Sequence, residues 1–182
     1  MKFSPTTIPE VVMIESQVFT DDRGHFFETW HAQKFRDEGI DATFVQDNHS
    51  WSLPAVLRGL HYQLHRPQGK LVRVVQGAVF DVAVDLRRSS PTFGHWVGAE
   101  LSESNRRMLW VPPGFAHGFY VTGGPALFLY KCTDVYQPGD ERCIRWDDPE
   151  LGISWPIPPG STPIVGAKDR AGVAFRAAEM FP

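Results

Sequence analysis

The sequence predicts an all-β protein of the sandwich or jelly-roll kind with a few short flanking helices. Most segments that read as regular structure are short and apolar, and 16 glycines and 15 prolines separate them along the chain. Aromatic residues make up 13% of the chain, which is typical of strand-rich cores. Many short strands joined by glycine and proline turns are typical of jelly rolls, which can enclose a ligand cavity. Because 182 residues contain no repeat or linker, we expect one domain spanning residues 1–182.

Helices are predicted at two places along the chain. Residues 29–38 carry Trp30 and Phe35 at apolar positions, and Gly39 follows them as a helix stop. A second helix is predicted near residues 171–180. Both segments are short, so we expect them to flank the strands rather than to form a helical layer.

The segment at residues 70–86 predicts two strands separated by Gln76 and Gly77. Because Gly77 can adopt a positive φ, we expect a two-residue hairpin turn that pairs the two strands. In that register Lys70 lies diagonally near Asp81, a pairing that would hold the ammonium group in place. The shared face is then predicted to carry Lys70, Val72, Val74, Val79, Asp81, Ala83 and Asp85.

Four more strands are predicted at residues 96–101, 108–111, 117–121 and 126–133. A tight corner at residues 112–114, with the sequence PPG, separates two of them. In the last strand, alternation places Tyr130 on the same side as Phe128 and opposite to Lys131. We expect the side with Phe128 to face the interior.

The bulk composition argues against several classes of protein. A formal net charge of −3 provides no basic field for nucleic acid or for an anionic membrane. Residues 1–10 lack the apolar core of a signal peptide, and no run approaches the length of a membrane span. The two cysteines, Cys132 and Cys143, have no zinc-like spacing. Without a secretory signal, we expect reduced thiols in the cytoplasm.

The residues that suit chemistry best lie around the segment VLRGLHYQ, at residues 56–63. Histidine is a residue type suited to act as a base, so His61 is a candidate, although a histidine there would equally fit as a core residue with its hydrogen bonds satisfied. Arg58 and Lys70 would favour an anionic substrate or an anion formed during reaction. With a tyrosine phenol as an acid, for which Tyr130 and Tyr136 are candidates, these residue types suit cofactor-free proton transfer.

Other chemistries find less support in the sequence. His61 and His65 are four residues apart, a spacing that brings two metal ligands together on a helix but not on a strand. No serine, cysteine or threonine lies in a recognisable nucleophile elbow. No glycine-rich phosphate loop or dinucleotide fingerprint is present. We therefore expect no metal and no cofactor.

Eight motifs occur in order over nearly the whole chain: DDRGHFFE (21–28), QDNHS (46–50), VLRGLHYQ (56–63), GAVFDVAVDLR (77–87), SPTFG (90–94), VPPGFAHGF (111–119), YKCTDVY (130–136) and IRWDDP (144–149). With these motifs the sequence resembles the dTDP-4-dehydrorhamnose 3,5-epimerases, cupin-fold enzymes of nucleotide-sugar metabolism. The resemblance implies a jelly-roll (cupin) β-barrel and a homodimer with strand exchange. In such a dimer, residues 1 to about 30 would contribute to the site of the partner.

The resemblance also implies an activity and roles for individual residues. The expected reaction converts dTDP-4-dehydro-6-deoxy-D-glucose to dTDP-4-dehydro-L-rhamnose, in the synthesis of dTDP-L-rhamnose. His61 would remove the protons at C3 and C5, and Tyr130 would return protons from the opposite face. Asp169 would orient and charge-stabilise His61, and Lys70 would stabilise the enolate. Substrate binding is implied for Arg23, Glu28, Gln46, Asp47, Asn48, Arg58, Lys70, His117, Tyr136, Glu141 and Lys168, with Tyr136 stacking on the thymine.

Three alternatives remain open at this point. An epimerase acting at only C3 or C5 would share His61 and Tyr130 and would differ in how the sugar ring is held. A non-catalytic sugar-nucleotide binder would not need the full set of His61, Tyr130 and Lys70. A metal-dependent cupin oxygenase is disfavoured by the missing ligand spacing.

Overall fold

The computed structural model describes residues 1–182 and contains fourteen strands, two short α-helices and one 3-10 turn. The strands are β1 (Lys2–Pro5), β2 (Val12–Glu15), β3 (Val18–Asp21), β4 (Gly24–Phe27), β5 (Gln46–Ser52), β6 (Val56–Gln63), β7 (Lys70–Gln76), β8 (Ala78–Asp85), β9 (Trp96–Ser102), β10 (Arg107–Val111), β11 (Phe115–Val121), β12 (Ala126–Cys132), β13 (Glu141–Cys143) and β14 (Ile164–Val165). The helices are α1 (Ala32–Asp37) and α2 (Ala167–Arg170), and the 3-10 turn is Phe175–Ala177.

Most strands belong to one of two sheets. The first sheet has the order β1-β2-β10-β7-β12-β5, and the second has the order β13-β6-β11-β8-β9, with β14 beside β6. Strands β3 and β4 form a separate hairpin. This arrangement confirms the predicted jelly roll. The sheets face each other without closing into one continuous barrel, as the separate strand orders show.

The main core lies between the two sheets. It is a cluster of 15 buried apolar residues that includes Val72 and Phe128 from the first sheet and Val79 and Phe119 from the second. Burying apolar surface from both sheets supplies the main favourable free energy of such a fold. The four strands predicted at residues 96–133 are confirmed as β9 to β12, and the PPG segment separates β10 from β11.

Strand β8 is apolar along most of its length because it is covered on both faces. Val79 and Ala83 point into the core between the sheets. Val82 and Val84 point the other way, into a second cluster formed with C-terminal residues such as Phe175. This alternation places Asp81 on the same face as Val79 and Ala83, toward the space between the sheets.

The predicted pairing of the two strands in residues 70–86 is wrong. Gly77 does adopt a positive φ of 77°, but the turn carries the chain from the first sheet to the second. Strand β7 pairs with β10 and β12, and β8 pairs with β11 and β9, so neither has a free edge for the other. Four apolar residues of the predicted shared face still lie in one core, but they face each other across the two sheets: Val72, Val74, Val79 and Ala83.

One helix prediction is confirmed and the other is wrong. Helix α1 lies within residues 29–38, buries Phe35 and is followed by Gly39 with a φ of 81°. Residues 171–180 contain only the 3-10 turn. Backbone hydrogen bonds tie Val173 to the segment after β13, which holds that part of the chain extended. No helix has the length and hydropathy needed to span a membrane.

Candidate active site

A cavity of about 320 Å³ lies between the sheets and receives side chains from both of them. Nine of the predicted site residues line it: Gln46, Asn48, Arg58, His61, Lys70, His117, Tyr130, Tyr136 and Glu141. They come from strands β5, β6, β7, β11, β12 and β13 and from the segment between β12 and β13. Residues far apart in sequence therefore share one cavity.

Close backbone contact between β6 and β11 forms one wall of this cavity. A Cβ atom added to Gly59 would lie 2.6 Å from the Cα atom of Gly118, and Gly59 has a φ of 127°. Only glycine fits such a position, because a side chain would meet backbone and the φ is unfavourable for other residues. The same strand pair places His61 directly opposite His117 in the β ladder.

His61 and Asp169 form a hydrogen-bonded pair at the edge of the cavity. Nε2 of His61 lies 2.5 Å from Oδ1 of Asp169, which helix α2 presents. Because a carboxylate only accepts hydrogen bonds, the imidazole donates through Nε2–H. In the neutral ring, Nδ1 then holds the free lone pair, so it is the nitrogen able to take up a proton.

Tyr130 points into the cavity from β12, as alternation predicts, and its ring packs 5.9 Å from that of Phe128. Burial raises the pKa of the phenol, and the nearby Cys132 adds to this, while Arg58 acts in the opposite direction. The phenol therefore stays protonated at neutral pH, as a proton donor must. Lys131 points to the outer face, where its ammonium group lies 2.8 Å from Asp47.

Lys70 is buried, and this burial lowers the pKa of its ammonium group. The charges of Cys132 and Asp81 oppose that effect. The predicted diagonal pairing of Lys70 with Asp81 on one hairpin is wrong, because the two residues lie on strands of different sheets. Asp81 also lies 2.9 Å from Nε2 of His117 and is fully buried. Burial raises the pKa of Asp81, while His117 and Lys70 act to lower it.

The pairing of Asp81 with His117 was not predicted from the sequence. A charged residue inside the apolar run AVFDVAVD was the signal that could have indicated it. Ser50 was also not predicted. Its buried hydroxyl lines the cavity and has no hydrogen-bond partner within the protein.

The outer end of the cavity carries a connected group of polar side chains. The hydroxyl of Tyr136 donates to Glu141 over 2.7 Å, and Lys168 forms an ion pair with the same carboxylate. The ammonium of Lys168 also lies 5.9 Å from the centre of the Tyr136 ring. Gln46 accepts a hydrogen bond from the backbone of Tyr136 and donates to Asn48. An exposed aromatic ring with polar neighbours suits a flat heterocycle.

Arg58 projects from β6 at the side of the cavity. Its Nε donates to the hydroxyl of Ser52 over 3.0 Å, and it forms no ion pair with a carboxylate of the chain. A guanidinium in this state retains donors for the oxygens of a phosphate group.

Three predicted substrate-binding residues lie away from this cavity. Asp47 is on the opposite face of β5 and pairs with Lys131. Arg23 belongs to the β3–β4 hairpin and pairs with Asp21, while Glu28 follows that hairpin and pairs with Lys34. Within one chain, the structure therefore does not bring these three residues together with His61 and Tyr130.

The arrangement inside the cavity suits the chemistry of a carbon acid. An imidazole backed by a carboxylate can accept a proton, and a buried ammonium group can stabilise an oxyanion in a setting of low dielectric. A protonated phenol can supply a proton in return. All three groups line the same space, which is the requirement for removing and returning a proton beside a carbonyl group.

Comparisons with known proteins agree with this chemistry. A sequence model of the family described as dTDP-4-dehydrorhamnose 3,5-epimerase matches residues 5–177. A dTDP-4-dehydrorhamnose 3,5-epimerase from Pseudomonas aeruginosa is 55% identical over 183 residues, covering 100% of both chains. The crystal structure of an epimerase from Legionella pneumophila, in complex with dTDP-4-keto-L-rhamnose, has a TM-score of 0.94 and 48% identity. That match covers 98% of this chain and 94% of the other.

A more distant structural match is also informative. A 3'-monoepimerase from Streptomyces bikiniensis, in complex with dTDP-quinovose, has a TM-score of 0.88 and 30% identity. The match covers 94% of this chain and 87% of the other.

The fold, the cavity and these relatives define a sugar isomerase of the epimerase class with a cupin-like jelly roll. The chain belongs to the dTDP-4-dehydrorhamnose 3,5-epimerase family.

Proposed function

We propose that the protein converts dTDP-4-dehydro-6-deoxy-D-glucose to dTDP-4-dehydro-L-rhamnose, for the synthesis of dTDP-L-rhamnose. The observation that carries this proposal is that His61, Tyr130 and Lys70 line one cavity, with Asp169 directly behind His61. The high identity to 3,5-epimerases and the ligand of the Legionella pneumophila structure support the choice of substrate.

In the proposed mechanism, the 4-keto group acidifies the hydrogens at C3 and C5. Nδ1 of His61 takes the proton, and the electron pair of the C–H bond passes into an enolate whose oxygen carries the negative charge. The carboxylate of Asp169 stabilises the imidazolium, as in other histidine–carboxylate pairs. The ammonium of Lys70 stabilises the enolate oxygen.

The second half of the mechanism inverts the carbon. Tyr130 donates its phenolic proton to the opposite face of the enolate, the carbonyl re-forms, and the configuration at that carbon changes. Once His61 has released its proton and Tyr130 has regained one by exchange with solvent, a second round at the other carbon completes the double epimerisation. General acid–base catalysis of this kind contributes about 10²- to 10⁴-fold per group, so oxyanion stabilisation must supply much of the remaining acceleration.

The nucleotide is proposed to bind at the outer end of the cavity. Tyr136 would stack on the thymine ring, and the fork of Arg58 would bind the pyrophosphate. Gln46, Asn48, His117, Glu141 and Lys168 are proposed as further substrate contacts. Their support is their position in the cavity or, for Lys168, its ion pair with Glu141.

We further propose that residues 1–182 act as one domain within a homodimer. Arg23 and Glu28 lie at the β3–β4 hairpin, outside the cavity of their own chain, and would reach the site of the partner. Asp47 also lies outside the cavity, on the outer face of β5, where it pairs with Lys131. The exposed rings of Phe19 and Phe26 on the β3–β4 hairpin support an interface there, since exposed apolar patches often mark contact surfaces. The free thiols of Cys132 and Cys143 support a cytoplasmic location, where thiols stay reduced.

A single-position epimerase is the second candidate, because the Streptomyces bikiniensis 3'-monoepimerase shares the fold. Incubating the purified protein with dTDP-4-dehydro-6-deoxy-D-glucose and determining the configuration of the product by NMR separates the candidates. Inversion at both C3 and C5 supports the proposed function, and inversion at one carbon supports the second candidate. Binding without any change in the sugar would contradict both and leave a non-catalytic binder.

A further inference from the structure

Three metal-ligating side chains meet behind the cavity. A ring nitrogen of His61, Sγ of Cys143 and a carboxylate oxygen of Asp169 all lie within 4.8 Å of one another. The β ladder brings Cys143 directly opposite His61 on the neighbouring strand β13, and α2 supplies Asp169. The thiol of Cys143 has only the backbone carbonyls of Gly59 and Ile144 as partners, at 3.7 and 3.6 Å. Three separate elements therefore fix the cluster.

We propose that these three residues form a binding site for a thiophilic divalent cation such as Zn²⁺, and that its occupancy switches the enzyme off. Nitrogen, thiolate and carboxylate together are a donor set that Zn²⁺ prefers. On binding the ion, the thiol of Cys143 would release its proton to solvent, and the resulting thiolate and the carboxylate would carry two negative charges that balance the charge of the ion.

The dimensions of the cluster are compatible with this proposal. Tetrahedral zinc holds nitrogen and oxygen ligands at about 2.0 Å and sulfur at about 2.3 Å, so neighbouring atoms of a set with one sulfur lie about 3.3 to 3.5 Å apart. The contact between His61 and Asp169, at 2.5 Å, would have to widen by about 1 Å. Sγ of Cys143 would have to approach the other two ligand atoms by at most a similar distance. A fourth position would remain open to water from the cavity.

Occupancy would inhibit because it removes the proposed base. A neutral imidazole has only one nitrogen with a free lone pair. When Nε2 binds a metal, the ring proton moves to Nδ1, and this atom can no longer accept a proton from the sugar. The ion would also break the hydrogen bond between His61 and Asp169. The inhibition rests on the proposed function, whereas the binding of metal does not.

Metal binding can be tested without any assay of activity. Titrating the tag-free, reduced protein with Cd²⁺ should produce the ultraviolet charge-transfer band of a cadmium–thiolate bond, saturating at one equivalent. The Cys132→Ser variant should keep this band, because Cys132 lies on β12 and is not part of the cluster. The Cys143→Ser variant should lose it. A band that persists in Cys143→Ser, or the absence of a band in the wild type, would overturn the proposal.

Inhibition is tested in the same set of variants with Zn²⁺. The wild type should lose turnover with added Zn²⁺ and regain it with EDTA, whereas Mg²⁺ should have no effect because it prefers oxygen ligands. Without metal, Cys143→Ser should still convert the keto sugar. It should need at least about tenfold more Zn²⁺ than the wild type for the same loss of turnover. Equal sensitivity of this variant and the wild type would contradict the proposed mode of inhibition. If Cys143→Ser does not fold, Cys143→Ala serves in both tests.

Discussion

Nε2 of His61 lies 2.5 Å from Oδ1 of Asp169, although 108 residues separate them in the chain. Helix α2, only four residues long, brings the carboxylate to the back of the imidazole. Because the carboxylate holds Nε2–H, it sets the tautomer in which Nδ1 is free. This pair therefore determines which nitrogen can act as the proposed base.

Replacing Asp169 with Asn should lower kcat by about 10²- to 10⁴-fold, because an amide can stabilise the wrong tautomer and does not neutralise the imidazolium. KM should change much less, since Asp169 does not line the cavity. Steady-state kinetics with the keto sugar measures both quantities. A kcat within about threefold of the wild type would contradict the role of Asp169.

Replacing Lys70 with Met should lower kcat by about 10²- to 10³-fold, since the side chain keeps its length but no longer stabilises an oxyanion. The matched control is Lys131→Met on strand β12, whose ammonium group pairs with Asp47 on the outer face. That variant should keep normal turnover. Equal losses in the two variants would indicate a general effect of charge and not a role at the enolate.

Replacing Tyr136 with Ala should raise KM by about tenfold, because stacking on a base contributes about 1 to 3 kcal/mol. Tyr136→Phe keeps the ring and loses only the hydrogen bond to Glu141, so its KM should rise less. Both variants should keep most of kcat. If Tyr136→Ala changed kcat and left KM unaltered, Tyr136 would not be the base-stacking residue.

Asp85 should make stability depend on pH in the acid range. It is fully buried, which raises the pKa of its carboxyl group, but hydrogen bonds from Arg87, Ser90 and Thr92 outweigh this and hold the pKa at about 2. Because the folded pKa lies below the unfolded one, the stabilisation is present above about pH 4 and is lost as the pH falls toward 2.

Asp85→Asn should therefore lower the free energy of unfolding by about 2 kcal/mol at pH 7, and the difference from wild type should shrink in acid. Urea unfolding at several pH values measures this. Asp22→Asn, at an exposed position, is the control and should change little. If the difference in free energy of unfolding between Asp85→Asn and the wild type stayed constant from pH 7 into the acid range, the explanation based on titration would be contradicted.

The six strands between residues 70 and 133 could be predicted from the sequence because alternation and turn residues are local signals. Which strands pair with each other could not be predicted, as residues 70–86 illustrate. Gly77 marks a turn, but no nearby residue shows that this turn joins two sheets. The position of Tyr130 followed from alternation with Phe128. The pairing of Asp81 with His117 depends on contact between β8 and β11, which a local pattern does not reveal.

For the site residues too, local signals could be read from the sequence and contacts between distant segments could not. Residue chemistry made His61, Lys70 and Tyr130 candidates, but their individual roles and the choice of Asp169 came only from the family resemblance. The helix that carries Asp169 has four residues, too few for a periodic signal. Similarly, Arg23 and Glu28 match family motifs, yet their own chain holds them in ion pairs away from the cavity.

The imidazole of His61 is proposed to remove protons from the sugar, and the phenol of Tyr130 is proposed to return them. Incubating the wild type, His61→Ala and Tyr130→Phe with the keto sugar in D₂O tests both roles. Deuterium at C3 and C5 is then followed by NMR, together with the configuration at each carbon. We expect deuterium at both carbons with wild type, none with His61→Ala, and exchange that outpaces inversion with Tyr130→Phe. Exchange at the wild-type rate in His61→Ala, or normal inversion in Tyr130→Phe, would contradict the claim.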